Sequence, residues 1–195
     1  GREGEGDRRR LLRVRRIEGR EECFLWMAED QADPAVRQNM RVMVHDAIGN
    51  AFAGAGISMV LTDSEGRIIA TNTLFRRWCG GNDPAGTDTT LSSLIELDSN
   101  GMVRAPGAEG KHEPVRLIEL ALPGDPHEPR SYLFLMLEDR PGEEGILGAV
   151  ETAASVPALL GTLPLGLALT DRDGRLRFMN DGFCRAADIS PEDEV

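Results

Sequence analysis

Apolar and polar positions are spaced differently along the chain, and the spacing divides it into elements. Residues 57–62 (ISMVLT) form a short apolar, β-prone run and residues 67–71 (RIIAT) a second. Between them lies Asp63-Ser64-Glu65-Gly66. An Asp side chain folds onto its own backbone there and a Gly accepts positive φ, so a hairpin is predicted. Asn72 stands where an N-cap belongs, ahead of Leu74, Phe75 and Trp78 at helical spacing. Runs at 115–122 and 131–138 predict two longer antiparallel strands, joined by a proline-rich loop. Residues 79–110 are rich in Gly, Asp, Thr and Ser, with one apolar patch at Leu91, Leu94, Ile95 and Leu97. They read as short helices and loops over one sheet face. In 34–52, Val36, Met40, Val44, Ile48 and Phe52 recur at i+4 steps, with Met43, Ala47 and Ala51 beside them. This stripe predicts one amphipathic helix, with Asp33 as N-cap and Pro34 in its first turn. A weaker pattern at Ile146, Leu147 and Val150 predicts a second linker helix, with a break near Pro157.

The pattern repeats. Residues 57–80 and 165–188 align without a gap at an offset of 108, with Leu61/Leu169, Thr62/Thr170, Asp63/Asp171, Gly66/Gly174, Arg67/Arg175, Asn72/Asn180, Phe75/Phe183 and Arg77/Arg185 identical. A second match, FLWMAED (24–30) with LFLMLED (133–139), has an offset of 109. Each of these follows a strand-like run, 11–17 or 115–122. A period this long is a whole domain with its linker rather than a solenoid repeat. The chain therefore reads as the tail of one copy (1–31), a linker helix (32–51), a complete copy (52–139), a second linker (140–157) and the head of another copy (158–195). Two strands, short helices and further long strands in one copy describe an α+β domain, with one antiparallel sheet and its helices on one side. The incomplete head and tail both leave unpaired strand edges, so pairing of 158–195 with 8–30, within a chain or between chains, is a second expectation.

Composition narrows the class. The 195 residues are 41% hydrophobic, enough for a packed core, and carry a net charge of −11, which argues against nucleic acid or anionic membrane as a partner. Residues 1–20 run against this balance, with eight arginines and four acids, and read as a solvated strand face rather than a phosphate site. Cys23, Cys79 and Cys184 are scattered and odd in number, which fits reduced thiols in a cytoplasm. There is no apolar stretch of membrane-spanning length, and the polar, Arg-rich start lacks a signal-peptide pattern. The abrupt ends suggest a piece of a longer parent, which membrane segments elsewhere would be free to anchor.

The LTDSEGRIIATN run (61–72), the LTDRDGRLRFMN run (169–180) and the Asn followed by a Phe-containing helix resemble the opening of the PAS family. Glu138-Asp139 and Glu29-Asp30 are similar to the end of its last strand, where an acidic residue commonly caps the outgoing signal helix, although Arg140-Pro141 and Gln31-Ala32 replace the usual Ile-Thr. The resemblance implies a five-stranded sheet, a cavity between sheet and helices, and a sensing or dimerising role. It marks Asp63, Gly66, Asn72, Asp139, Asp171, Gly174 and Asn180 as structural positions. Serial domains of this kind are similar to the input region of hybrid histidine kinases. The implied partners are a second copy of the chain and the kinase core of the same parent. Cavity candidates are Trp78, Leu94, Ile95, Leu117, Leu133 and Leu135, with simple core filling as the favoured reading. Val36, Met40, Met43, Val44, Ala47 and Ile48 mark the linker stripe as either a dimer contact or packing on its own sheet.

No catalytic residues are expected in this chain, and no cofactor or metal is predicted. His45, in VMVHDAI, reads as an exposed helix histidine rather than a phosphoacceptor, since no second helix of a phosphotransfer hairpin follows. His112 and His127 lie in loops beside proline, and 79–100 hold no His for haem. Cys79 (Trp-Cys-Gly) and Cys184 (Phe-Cys-Arg) lack the Asn-Cys-Arg context of flavin photochemistry. The acid pairs Asp63/Glu65 and Asp171/Asp173 read as turn chemistry rather than metal ligands.

Overall fold

Asp63 and Asp171 each organise a hairpin turn in the same way. Asp63 Oδ1 accepts from the backbone N–H of Glu65 and of Arg67, both at 2.9 Å. Asp171 Oδ1 accepts from Asp173 and Arg175, also at 2.9 Å. Gly66 and Gly174 close the turns at φ of 78° and 79°, a region open to glycine and strained for other residues. The computed structural model that shows this describes residues 11–17, 22–29, 34–97, 102–104, 115–123, 129–138, 150 and 155–189. In chain order its elements are β1 (Leu11–Ile17), β2 (Cys23–Glu29), α1 (Pro34–His45), α2 (Ala47–Gly54), β3 (Ile57–Thr62), β4 (Ile68–Thr71), α3 (Thr73–Trp78), a 3-10 turn (Leu91–Ser93), β5 (Glu96–Leu97), β6 (Met102–Arg104), β7 (Val115–Ala121), β8 (Tyr132–Glu138), α4 (Ser155–Thr162), β9 (Gly166–Asp171), β10 (Leu176–Met179) and α5 (Asp181–Ala187).

The chain is α+β with two antiparallel sheets rather than one. The central sheet has the order β4-β3-β8-β7-β6-β5, and the outer sheet β1-β2-β9-β10. The central sheet thus has six strands where five were expected, because the short β5 and β6 form within the Gly- and Asp-rich segment read as helices and loops. The outer sheet joins the two ends of the chain. β2 pairs with β9 from Cys23↔Asp171 to Ala28↔Gly166. The tail and head expected as separate fragments therefore complete one another in the same chain.

This pairing also corrects the repeat. In the central sheet Thr62 pairs with Tyr132 and Leu61 with Leu133. In the outer sheet Thr170 pairs with Phe24 and Leu169 with Leu25. Every partner is displaced by 108, so the tail repeats at 108 and not 109. The Glu-Asp match had placed Leu25 opposite the wrong strand face, since a slip of one residue reverses every side chain. Burial agrees with the new register: Leu25 and Met27 are buried, as are Leu133 and Leu135. The helices before each hairpin, α2 and α4, stand at the same offset.

The faces of the central sheet carry different cores. Val60, Phe134 and Met136 turn towards α3 and the 3-10 turn, where Ile68, Phe75, Leu91, Ile95 and Val103 pack. Met59, Leu61, Leu133, Leu135 and Leu137 turn the other way and share a core with Leu25, Met27, Leu167 and Leu169 of the outer sheet. Both faces are therefore covered, where helices on one side only were expected. The two units meet through equivalent faces, and α2 contacts α4.

The helix predicted over 34–52 is broken. α1 ends at His45 and α2 begins at Ala47. Gly49 lies against the end of α1 so closely that a Cβ there would stand 1.9 Å from the Val44 carbonyl oxygen. The i+4 stripe runs through the break because both pieces face the same core: Met40, Val44 and Phe52 are fully buried. Of the second linker, only Val150 and the residues from Ser155 onward are described.

Candidate functional site

The side chains that organise each unit are its asparagines. Asn72 is buried and its Nδ2 donates to the Gly49 carbonyl (3.1 Å) and the Ile57 carbonyl (2.9 Å), while its Oδ1 accepts from Phe75 N–H (3.1 Å). One side chain thus ties the incoming helix α2, the first strand β3 and the N-terminus of α3. Asn180 repeats the arrangement. Its Nδ2 donates to Leu160 (3.3 Å) and Leu165 (2.8 Å) of the α4 side, and its Oδ1 accepts from Leu167 and Phe183 N–H at 2.9 Å each. The N-cap read from sequence is therefore also a clamp between linker helix and sheet. Asp139, grouped with these positions, lies outside the described residues, as do His112 and His127.

The cavity candidates divide between two faces. Trp78, Leu94, Ile95 and Leu117 gather in the helix-side cluster. Leu133 and Leu135 belong to the core between the sheets. Strand alternation is the cause: grouping Leu133 and Leu135 with Leu117 overlooked that the helix-facing positions of β8 are Phe134 and Met136.

A cleft of about 450 Å³ opens on β7. Beyond Val115 and Arg116, no described strand of β6 pairs with β7. Its apolar wall includes Leu91, Ile95, Leu97, Leu117 and Phe134. Arg15 and Arg16 from β1 and Arg116 from β7 supply the polar wall with Glu119. Arg15 Nη1 lies 3.2 Å from Glu119 Oε1 and bridges the two sheets. The arginines are what the sequence reading missed: they looked like a solvated strand, and nothing local places β1 beside β7.

A second cleft, of about 410 Å³, lies between α1 and the central unit, with Arg41, His45, Asp46 and Asp83 around it. His45 is exposed at the end of α1, its Nδ1 3.4 Å from Arg76 Nη1. Arg76 also donates to the Thr71 carbonyl (2.8 Å) and faces Asp83 at 3.7 Å. This polar cluster joins the helix break to the end of β4. Among the linker-stripe residues Met40 and Val44 are buried in the chain's own core, Val36, Met43 and Ile48 are half-buried, and Ala47 is exposed.

Two titratable groups depart from their ordinary ranges. Burial, with the charge of Asp83 adding to it, pushes the Cys79 thiol up to about 11, which leaves it protonated and weakly nucleophilic at neutral pH. The Asp171 carboxyl is held low, first by the Arg175 backbone N–H and then by Arg177, which lies 3.0 Å away. Among the described residues, no cluster of three or more His, Cys, Asp or Glu is placed to hold a metal, and no helix is long and apolar enough to cross a membrane. No family model, no curated protein and no solved structure matches the chain.

Proposed function

We propose that this chain is a regulatory PAS region of a hybrid histidine kinase, relaying signals to a kinase core elsewhere in the parent protein. The observation that carries the reading is the recurrence, at 108 residues, of one hydrogen-bonded device: a buried Asn that fixes the incoming helix, the opening strand and the following helix together. A displacement of α2 or α4 must pass into its sheet through that Asn, which suits a relay. The resemblance of the two hairpins to the PAS opening supplies the family, and the α+β architecture is consistent with it. The chain's own role is non-catalytic and cytoplasmic in this reading, and homodimerisation belongs to it. Met40 and Val44 are committed to the core, so the contact between chains falls to the solvent side of α1 around Val42, which is 49% exposed.

The test is autophosphorylation of the parent protein with labelled ATP, comparing the natural sequence with Asn72→Ala. A changed rate with the kinase core still folded supports the relay. A parent lacking a phosphoaccepting His downstream, or one whose rate is unmoved, overturns it. If the parent instead makes or degrades cyclic dinucleotides, the same input region serves that output. A chain that purifies with a bound small ligand and acts without any output domain would be a free-standing binding module.

A further inference from the structure

We propose that the cleft at β7 binds a small anionic amphiphile, an alkyl or aryl carboxylate, with its carboxylate on the arginine wall and its apolar part over Ile95, Leu117 and Phe134. The volume, about 450 Å³, falls in the range of small-molecule sites. Charge selects the class. Three arginines and one carboxylate line the cleft, a local excess of positive charge on a chain whose net charge is −11. Arg15 and Arg16 are about half exposed, and their present partners, Glu119 and Glu22, form surface ion pairs. Such pairs are weak and exchange readily for a ligand carboxylate. Arg116 is 8% exposed, and a guanidinium held in place presents a planar fork that suits a carboxylate. On the other wall Leu97 is 60% exposed at the rim, where it would cover an alkyl chain.

The two walls come from different sheets. Arg15 and Arg16 belong to the outer sheet and the apolar wall to the central one, so a bound ligand bridges the units. It would favour whichever arrangement of the units forms the cleft. That consequence rests on the sensory reading above; the binding itself does not.

The test is calorimetric titration of the full chain with decanoate, decanol and decyltrimethylammonium, each below its aggregation limit. Decanoate is expected to saturate one site, with decanol and the cation at least about tenfold weaker. The double variant Arg15→Ala/Arg16→Ala should weaken decanoate by about tenfold and leave decanol unchanged. Leu97→Ser should weaken decanoate and decanol alike. All three substitutions are at exposed positions, and an unchanged thermal midpoint verifies the fold. Non-saturating decanoate uptake, equal binding of decanol, or an unchanged affinity in the double variant each overturns the proposal. Saturable decanoate binding that leaves parent autophosphorylation unmoved would keep the site and remove the signalling reading. A responsive kinase with no decanoate site would do the reverse.

Discussion

The residues at equivalent places in the two units serve as natural controls on one another. Thr170 Oγ1 accepts from Trp26 Nε1 at 3.0 Å. The equivalent of Trp26 at an offset of 108 is Phe134, which has no donor, and the fully buried Thr62 Oγ1 is without a hydrogen-bond partner among the described residues. Thr170→Val is therefore expected to cost about 1 kcal/mol, while Thr62→Val should be neutral or stabilising, because it removes a buried hydroxyl that has nothing to bond. Urea denaturation of the two variants checks the difference in sign. The low Asp171 pKa gives a second prediction at this scale. A carboxyl held below its unfolded value contributes stability above that value, and the contribution is lost as pH falls through the folded pKa. The gap in stability between the natural sequence and Asp171→Asn should be present at neutral pH and close under strongly acidic conditions, with the carboxyl resonance in NMR titrating below the ordinary Asp range. A gap that is constant with pH would refute this.

At the scale of elements, the linker helix shows how one sequence pattern serves two geometries. An i+4 stripe from Val36 to Phe52 is what a straight helix needs, but it is also what two shorter helices need when both pack on one core. Gly49 decides between them, since only a residue without Cβ fits against the Val44 carbonyl. Gly49→Ala should cost about 1–3 kcal/mol or more through that overlap, despite the higher helix propensity of Ala. The same burial separates Met40 from Val42. Met40→Ala, at a fully buried position, is expected to cost about 2–5 kcal/mol, whereas Val42→Ala should lie within about 0.5 kcal/mol of the natural sequence. Val42→Glu then tests the proposed contact between chains by sedimentation: loss of a dimer supports it, and an unchanged dimer places the contact elsewhere.

For the whole molecule, the ends of the chain matter more than their composition suggests. β2 and β9 are separated by the entire central unit in sequence yet pair over six residues. Their side chains Leu25, Met27, Leu167 and Leu169 then cover a face of the central sheet that would otherwise be exposed. Removing residues 1–31 should therefore abolish hydrogen-exchange protection along β9 and also loosen β3 and β8, which face the same core. Unchanged protection of 165–180 after the deletion would show that the outer sheet does not form in this way. The units meet through equivalent faces, so each covers the surface that the other leaves open, much as in a symmetric pair.

The sequence alone determined the local devices. The Asp-x-x-Gly turns, the capping Asn and the alternation within each strand act over a few residues, and repetition at 108 made them legible twice over. It also contained the correct register of the tail, hidden because a Glu-Asp match outweighed the alternation of Leu25 and Leu133. Other features required tertiary structure, because they depend on residues far apart in the chain meeting in space. These are the break at Gly49, the second face of the central sheet, the outer sheet built from both ends, and the arginines of β1 brought against β7. Side-chain patterning tells a strand or helix which face to bury, but which surface it is buried against is settled only when the chain folds back on itself.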